Sequence, residues 1–445
     1  ELSRENPNLE VKFHCDSIED IIESLKSNRY DLVLGLSVFH HIVYKQGISE
    51  TKELIEKFLA LSNVMIIEVA LHDEPLYWAD SQPKDPRTLV DSAAFVHEMG
   101  RNGTHLSPIT RPMYAVSNQT WIFGEFAGHF RESSKNSHAL DNDCHAGSRS
   151  YFFSDETIVK VYQLDHPAAG HNKSEFEREL NFFESPAPGF IVAELVCIGS
   201  HAHEAWLVMK RFPGKLLSEV LHEKLDIDFR GVLLGTLKQL TLLEANGSYH
   251  NDLRAWNIII SDRGAVYLID YGAISTSPHD CVWPENIFLS FFVFLREVLT
   301  GKIENPTPQR GIFMNPYSLP AVYSNWFLSL LDCHPDAWSF QLFYESLKEL
   351  SFDGDALPPK VPEKMGEWLD MLERSVFDKI TLDQQHISSI EVMVQTKDQE
   401  LASHAAVFAD LDAALQAKDA DVLEAQAELQ RLQDKILEDT NHFKA

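Results

Sequence analysis

At 445 residues with a hydrophobic share of 44%, the chain exceeds one ordinary domain, and it lacks the run of about 18 apolar residues that a membrane-spanning helix needs. Its 38 Lys and Arg stand against 67 Asp and Glu, a formal net charge of -29, which excludes nucleic acid as a partner and disfavours direct attachment to an anionic membrane surface. Five cysteines, at 15, 144, 197, 281 and 333, form no CxxC pair, which argues for a reducing compartment and against structural zinc. The N-terminus, Glu1-Leu2-Ser3-Arg4-Glu5, has no signal-peptide layout.

In chain order, Val11 to Asp16 reads as a strand, and Tyr30-Asp31-Leu32-Val33-Leu34-Gly35-Leu36-Ser37-Val38-Phe39-His40-His41-Ile42 as a buried strand and loop. A helix from Thr51 to Ala60 and a second apolar strand, Val64 to Val69, follow. Near-continuous apolar strands joined by a helix indicate a parallel α/β sheet. His40, His41 and Glu68 lie near strand ends, where such folds bind ligands. The Tyr30–His41 string resembles the fourth strand of class I S-adenosylmethionine-dependent methyltransferases. That resemblance makes residues 1–135 a methyltransferase-like domain and implies cofactor contacts for Asp16, through the adenine, and for His41. The family's glycine-rich turn and ribose-binding acid should precede Val11, so the expectation is a chain beginning inside a longer polypeptide.

The next segment, residues 140–352, opens with Cys144-His145-Ala146-Gly147-Ser148-Arg149-Ser150-Tyr151 and the apolar strand Thr157-Ile158-Val159-Lys160-Val161 with one cation inside it. An unpaired lysine there would be costly to bury. Ser174 to Phe183 reads as a helix with Phe176, Leu180 and Phe183 on one face. Leu207-Val208-Met209-Lys210-Arg211-Phe212-Pro213-Gly214 is a strand running into a turn.

His250-Asn251-Asp252-Leu253-Arg254-Ala255-Trp256-Asn257 is followed thirteen positions later by Asp270-Tyr271-Gly272. Between them, Ile258–Ile260 and Val266–Ile269 read as two strands around a Ser261–Gly264 turn, which brings Asn257 and Asp270 to one end of a hairpin. A carboxylate to orient a hydroxyl, and an amide and a second carboxylate to hold Mg²⁺, are what phosphoryl transfer from ATP requires. Asp252, Asn257 and Asp270 supply them. The string resembles the eukaryotic-type protein kinase signature H-R-D-L-x-x-x-N then D-F-G, with Asn at 251 and Tyr at 271. The resemblance implies that Lys160 contacts the α and β phosphates and that Glu179 pairs with it, Glu175 being the competitor one turn earlier. It places Met209 behind the adenine, core packing remaining an alternative, and Phe212 at the adenine hinge. Arg254 is a candidate γ-phosphate contact, a surface arginine being its alternative.

Two departures qualify the likeness. The phosphate loop keeps a single glycine, Gly147, and Asp280-Cys281-Val282-Trp283, a loose D-x-W, begins only ten residues after Asp270. A peptide-docking platform has almost no chain to be built from, so a small-molecule or sugar hydroxyl is the expected acceptor and activation-loop phosphorylation is not expected. Ile287 to Leu295 reads as a buried helix.

After a proline-containing break at 353–362, residues 363–445 carry apolar residues every seven positions, Ile387, Val394, Leu401, Phe408, Leu415, Val422, Leu429 and Ile436. With Ile390, Lys397, His404, Leu411, Lys418, Ala425 and Leu432 between them, this is a coiled-coil pattern. A parallel homo-oligomer, guessed as a trimer, would bury the stripe, a helix folding back on its own kinase domain being the alternative.

The predicted fold is therefore multidomain, α/β plus α+β: a partial methyltransferase parallel sheet, a bilobal protein-kinase-like domain and a C-terminal coiled-coil helix. That order is similar to the bacterial bifunctional kinase/methyltransferases that terminate polymannan O-antigen chains of lipopolysaccharide. The resemblance implies phosphorylation of the non-reducing terminal mannose of a lipid-linked glycan, then methylation of that phosphate, using ATP, Mg²⁺ and S-adenosylmethionine. It also implies a cytoplasmic enzyme held peripherally at the bacterial inner membrane through a membrane-associated mannosyltransferase or polymerase.

Overall fold

A computed structural model describes residues 18, 30–104, 108–135, 145, 147–167, 169–281, 285–303, 314–351 and 364–444. Residues 1–369 form one unit and 370–445 a second. In the first, β1 (Tyr30–Gly35) and β2 (Ser62–Glu68) are parallel neighbours, because the chain between them is taken up by α1 (Phe39–Gln46) and α2 (Ile48–Leu61) as a crossover. The α2 helix starts before Thr51, whose hydroxyl donates to the Gly47 carbonyl at 2.7 Å inside the first turn. β3 (Phe95–Gly103) and β4 (Thr110–Ser117) complete the sheet in the order β1-β2-β4-β3. The first two strands pair in parallel as expected, and the later strands add antiparallel neighbours. The β3–β4 link is too short for a crossover, so β4 runs antiparallel to both β3 and β2. Phe39, Val43, Leu54, Ile55 and Leu59 of the helices pack onto Met65, Ile67 and Val116 of the sheet.

A hairpin, β5 (Thr120–Phe123) and β6 (Phe126–His129), leads into a five-stranded antiparallel sheet. Its members are β7 (Glu132–Ser134), β8 (Arg149–Phe153), β9 (Thr157–Gln163), β10 (Leu195–His201) and β11 (Glu204–Lys210), ordered β10-β11-β9-β8-β7. β7 pairs with β8, so this sheet takes in Glu132–Ser134. The two sheets also share one apolar core: Phe95, Ala115, Trp121 and Phe123 meet Phe152, Val159, Val161 and Val208. The Phe123 ring stacks on Trp206 of β11 with centroids 4.7 Å apart and planes 8° from parallel. Beside it, buried His97 of β3 shares a hydrogen bond with buried Glu204 of β11. Because Phe123 is buried by residues of both sheets, Phe123→Ala is expected to cost about 3–5 kcal/mol. Denaturant unfolding followed by far-ultraviolet circular dichroism checks this, and a loss under about 1 kcal/mol would mean the two sheets are energetically separate.

The helix α3 (Asn172–Glu184) leaves β9 and buries Asn172, Phe176, Glu179 and Phe182. Phe182 thus takes the core position expected of Phe183, which is only half-buried. The larger lobe follows with β12 (Lys215–Leu216), α4 (Leu217–His222), α5 (Phe229–Ala245), β13 (Tyr249–His250), β14 (Ile258–Ile260), β15 (Val266–Leu268) and β16 (Ile274–Ser275). It closes with α6 (Ile287–Thr300), α7 (Ala321–Leu331) and α8 (Phe340–Glu349). α6 is apolar on nearly every face and correspondingly buried. Its ends are set by the Asn286 side chain, which accepts from the Phe288 and Leu289 amides at 3.0 and 3.1 Å, and by Gly301 at φ +65°. Gly214, at φ +126°, lies between the lobes where a Cβ would strike the Ile260 carbonyl, so only glycine lets the chain pass.

The second unit belongs to a single helix, α9 (Met365–Lys444), of 80 residues. At the usual rise per residue it extends about 120 Å. Its seven-residue stripe faces solvent, from Ile387 at 54% exposure to Phe408 at 72%. Among the described residues no helix is long and apolar enough to cross a membrane.

Candidate active site

The site is built around β13 and the β14–β15 hairpin. Asp252 donates its backbone N–H to His250 Nδ1 at 3.3 Å, which leaves Nε2 as the donor to the Ile269 carbonyl at 2.9 Å. The imidazole therefore ties the loop holding Asp252 to the strand end preceding Asp270. Ile258 pairs with Leu268 across the hairpin, and the Ile269 amide donates to the Asn257 carbonyl at 2.9 Å. Asn257 and Asp270 thereby sit at one end of it. The Asn257 amide donates to the Asp252 carbonyl at 2.8 Å and to Asp252 Oδ2 at 2.7 Å. This spends the nitrogen on Asp252 and leaves Oδ1 as the acceptor. Asp270 is left-handed, at φ +66°, a conformation uncommon outside glycine that aims its carboxylate away from the strand.

Lys160, centred in β9, reaches across to Glu179 Oε1 at 2.6 Å and to Asp270 Oδ1 at 2.9 Å. Burial alone would lower the ammonium pKa, but the two carboxylates outweigh it and raise the value well above the ordinary one. For Asp270, burial would raise the pKa, and the Lys160 ammonium overrides it, holding the carboxyl well below the usual range. Glu179, 0% exposed, is pushed up by burial against the pull of Lys160. It also accepts from the Tyr162 hydroxyl at 3.0 Å and the Gly272 amide at 3.3 Å.

Glu175, the competitor for Lys160, is engaged by Arg149, whose guanidinium forks onto it at 2.6 and 2.5 Å. Arg178 Nε donates to the Gly272 carbonyl at 2.6 Å. A Cβ on Gly272 would collide with the Glu175 side chain. Tyr271 is buried, stacks on Phe182 and accepts the Ala193 amide at 2.9 Å. The hydroxyl that distinguishes this position from phenylalanine thus satisfies a buried donor. Four contacts from the α3 side, at Glu175, Arg178, Glu179 and Phe182, hold Asp270–Gly272 in one arrangement.

The Arg254 guanidinium is 3% exposed, forks onto Asp280 at 3.0 and 2.8 Å, and places Nε 3.3 Å from Asp252 Oδ1. With its charge shared between these two carboxylates, it braces Asp252. Met209 is half-buried at the end of β11 against the large-lobe core, and Phe212 stacks on the Tyr267 ring at 4.2 Å and 10°. Val282 and Trp283 lie outside the described residues, as do Cys144 and Ala146 of the shortened loop. The partners of Arg149, Arg178, Asn251 and Asp280 went unread in the sequence because they are distant in the chain. A cation opening a strand was the available signal for Arg149.

Two hard-oxygen donors, Asn257 Oδ1 and the Asp270 carboxylate, meet the requirement of Mg²⁺ for a few protein oxygens and a phosphate. Asp270 Oδ2 has no hydrogen bond among the described residues, which fits that role.

In the N-terminal sheet, Ser37, at φ +53°, donates to Glu68 Oε1 at 2.8 Å where β1 and β2 end. Arg111 is fully buried between Glu68, at 3.0 Å, and Glu74, at 2.7 Å. His41 is exposed and its ring lies 4.1 Å from that of buried His40, which packs on Trp78. Asp16 lies outside the described residues. Burial, then His41 and Arg111, push the His40 imidazole from 6.5 down to about 4. A lowered folded-state pKa means that its contribution is complete above pH 6.5 and is lost as pH falls through about 4. Thermal unfolding between those limits should fall less steeply in His40→Gln than in the unaltered chain, and equal slopes would contradict the assignment.

No protein-family profile matches the chain. It is 37% identical over 348 residues to "O-antigen chain terminator bifunctional methyltransferase/kinase WbdD" of Escherichia coli, covering 77% of this chain and 49% of that protein. The chain thus spans about half the length of the curated relatives it matches. A solved structure of WbdD with its C-terminal bundle ordered superposes with a TM-score of 0.76 at 33% identity, covering 90% of this chain and 82% of that one. A crystal structure of monomeric WbdD gives a TM-score of 0.67 at 33% identity over 78% of each chain.

Proposed function

We propose, because this chain belongs to the family of the O-antigen chain terminator WbdD, that it transfers the γ-phosphate of ATP to a sugar hydroxyl at the end of an O-antigen chain. The acceptor is the non-reducing terminal mannose of a lipid-linked polymannan, and the N-terminal domain then takes part in methylating the new phosphate, which ends elongation. The observation that carries this reading is the Asp252–Asn257–Asp270 arrangement, linked to Lys160 and followed by only ten residues before Asp280. That length leaves no room for a peptide-docking platform, whereas a chain end needs only an open approach to one carboxylate.

Asp252 accepts a hydrogen bond from the acceptor hydroxyl and aligns its oxygen with the γ-phosphorus. Lys160, held by Glu179, positions the α and β phosphates, with Met209 and Phe212 beside the adenine. Magnesium, held by Asn257 and Asp270, would offset the charge on the phosphates. S-adenosylmethionine would supply the methyl group for that second step. The exposed stripe of α9 pairs with the same stripe of other copies, three in a parallel coil. The enzyme then works at the cytoplasmic face of the inner membrane, held there by the mannosyltransferase or polymerase that extends the glycan.

The test is phosphate transfer from labelled ATP to synthetic oligomannosides beside a protein acceptor. Label on the mannose end is the expected result. Preferential label on protein would make it a protein kinase, and no label on either would leave a nucleotide-binding scaffold.

A further inference from the structure

We propose that Asn251 is a positioning residue that keeps the acceptor side of the kinase site ordered without phosphorylation, by bonding the segment after Asp270 through its backbone and side-chain polar atoms together. The consequence for catalysis rests on the kinase reading above; the ordering itself does not.

The backbone N–H of Asn251 donates to the Ala273 carbonyl at 2.8 Å, and its carbonyl accepts the Cys281 amide at 2.7 Å. The side-chain nitrogen donates to the carbonyls of Ser277 and His279 at 2.6 and 2.5 Å. The side-chain oxygen accepts the Ser275 hydroxyl at 2.6 Å. One residue thus fastens the segment at five points between 273 and 281. Only a side-chain amide fits this set: aspartate has no donor for the two carbonyls, and arginine has no acceptor for Ser275.

The staple is coupled to the chemistry by its neighbours. Asp252 is the next residue in the chain, and the Cys281 thiol, whose backbone Asn251 holds, donates to Asp252 Oδ1 at 3.4 Å. Asp280, one residue earlier, anchors Arg254, which also approaches Asp252. A shift of the segment would therefore move two of the groups that aim the Asp252 carboxylate, while Lys160, Glu179 and Asp270 are held independently from α3. In kinases ordered by phosphorylation, an added phosphate supplies charge-assisted bonds to such a segment. Here neutral bonds from one amide perform the ordering, consistent with the short span they must hold.

The experiment compares the unaltered chain with Asn251→Ala and Asn251→Asp in three measurements: Mg·ATP affinity, kcat and KM for an oligomannoside acceptor, and amide hydrogen exchange without acceptor. Both variants are expected to bind Mg·ATP within about twofold of the unaltered chain and to lose about tenfold in acceptor kcat/KM. Exchange should accelerate in residues 273–281 and stay unchanged in β9 and α6, which separates loss of the staple from misfolding. Phosphatase treatment of the unaltered chain should leave its rate unchanged. Unaltered kcat/KM in Asn251→Ala, unaltered exchange in 273–281, or loss of activity on phosphatase treatment would each overturn the proposal. If the unaltered chain transfers no phosphate to oligomannoside, the functional reading fails, and the exchange result still decides the ordering role.

Discussion

Asp252→Ala is expected to lower phosphate transfer by about 10²–10⁴-fold, the range for removing a positioned acid–base group, while Mg·ATP affinity changes little. The separation follows from geometry. Asp252 bonds Asn257 through one oxygen and faces Cys281 and Arg254 through the other. The nucleotide-side groups form a different network, Lys160 with Glu179 and Asp270. Removing the carboxylate also leaves Arg254 with Asp280 as its strong partner, so the loop keeps its anchor. Single-turnover transfer to oligomannoside, with nucleotide affinity measured in parallel, checks both halves. Undiminished transfer would show that the acceptor hydroxyl is not aligned by this carboxylate.

Glu179→Ala is expected to damage both stability and nucleotide use. It removes a fully buried carboxylate that takes three donors, the Lys160 ammonium, the Tyr162 hydroxyl and the Gly272 amide. Breaking a buried ion pair at one partner typically costs about 3–5 kcal/mol, and the lower end is expected because Asp270 still faces Lys160. That remaining pair is the second cost. Without Glu179 the ammonium belongs to Asp270 alone, drawing away the carboxylate assigned to the metal and leaving the phosphates less well held. KM for ATP should therefore rise while kcat falls, in contrast to Asp252→Ala, and Glu179→Gln should recover stability before it recovers KM. Chemical denaturation and steady-state kinetics at varied ATP decide it; a kcat loss with unchanged KM would place Glu179 outside nucleotide positioning.

The elements of the site were legible where local chain chemistry dictates them. Two short apolar runs around the Ser261–Gly264 turn specify the β14–β15 hairpin, and that hairpin alone brings Asn257 and Asp270 to one end. The lone cation in β9 needed a buried partner, and helical spacing in α3 offered two glutamates. What spacing could not decide was which of them Lys160 would meet. Glu175 and Glu179 lie one turn apart, and the choice turns on Arg149 from β8, which claims Glu175. The burial of Arg254 was hidden in the sequence for a similar reason. Proximity to Asp252 in the chain suggested a phosphate contact, and its charge is shared with Asp280, a residue brought close only when the segment after Asp270 folds back.

Chain-local chemistry already specified the Asp252–Asn257 loop, the Asp270-Tyr271-Gly272 turn, the shortness of the segment that follows, and the seven-residue stripe of α9. Each is a property of neighbours in the chain, where turn chemistry, strand alternation and helical period act. Long-range packing alone set β4 antiparallel between β2 and β3, and gave the N-terminal sheet a core in common with the small kinase lobe. It also decided that Asn251 fastens residues 273–281. Those outcomes depend on which surfaces meet and which buried donors and acceptors remain to be satisfied, and neither quantity exists until the chain has closed on itself.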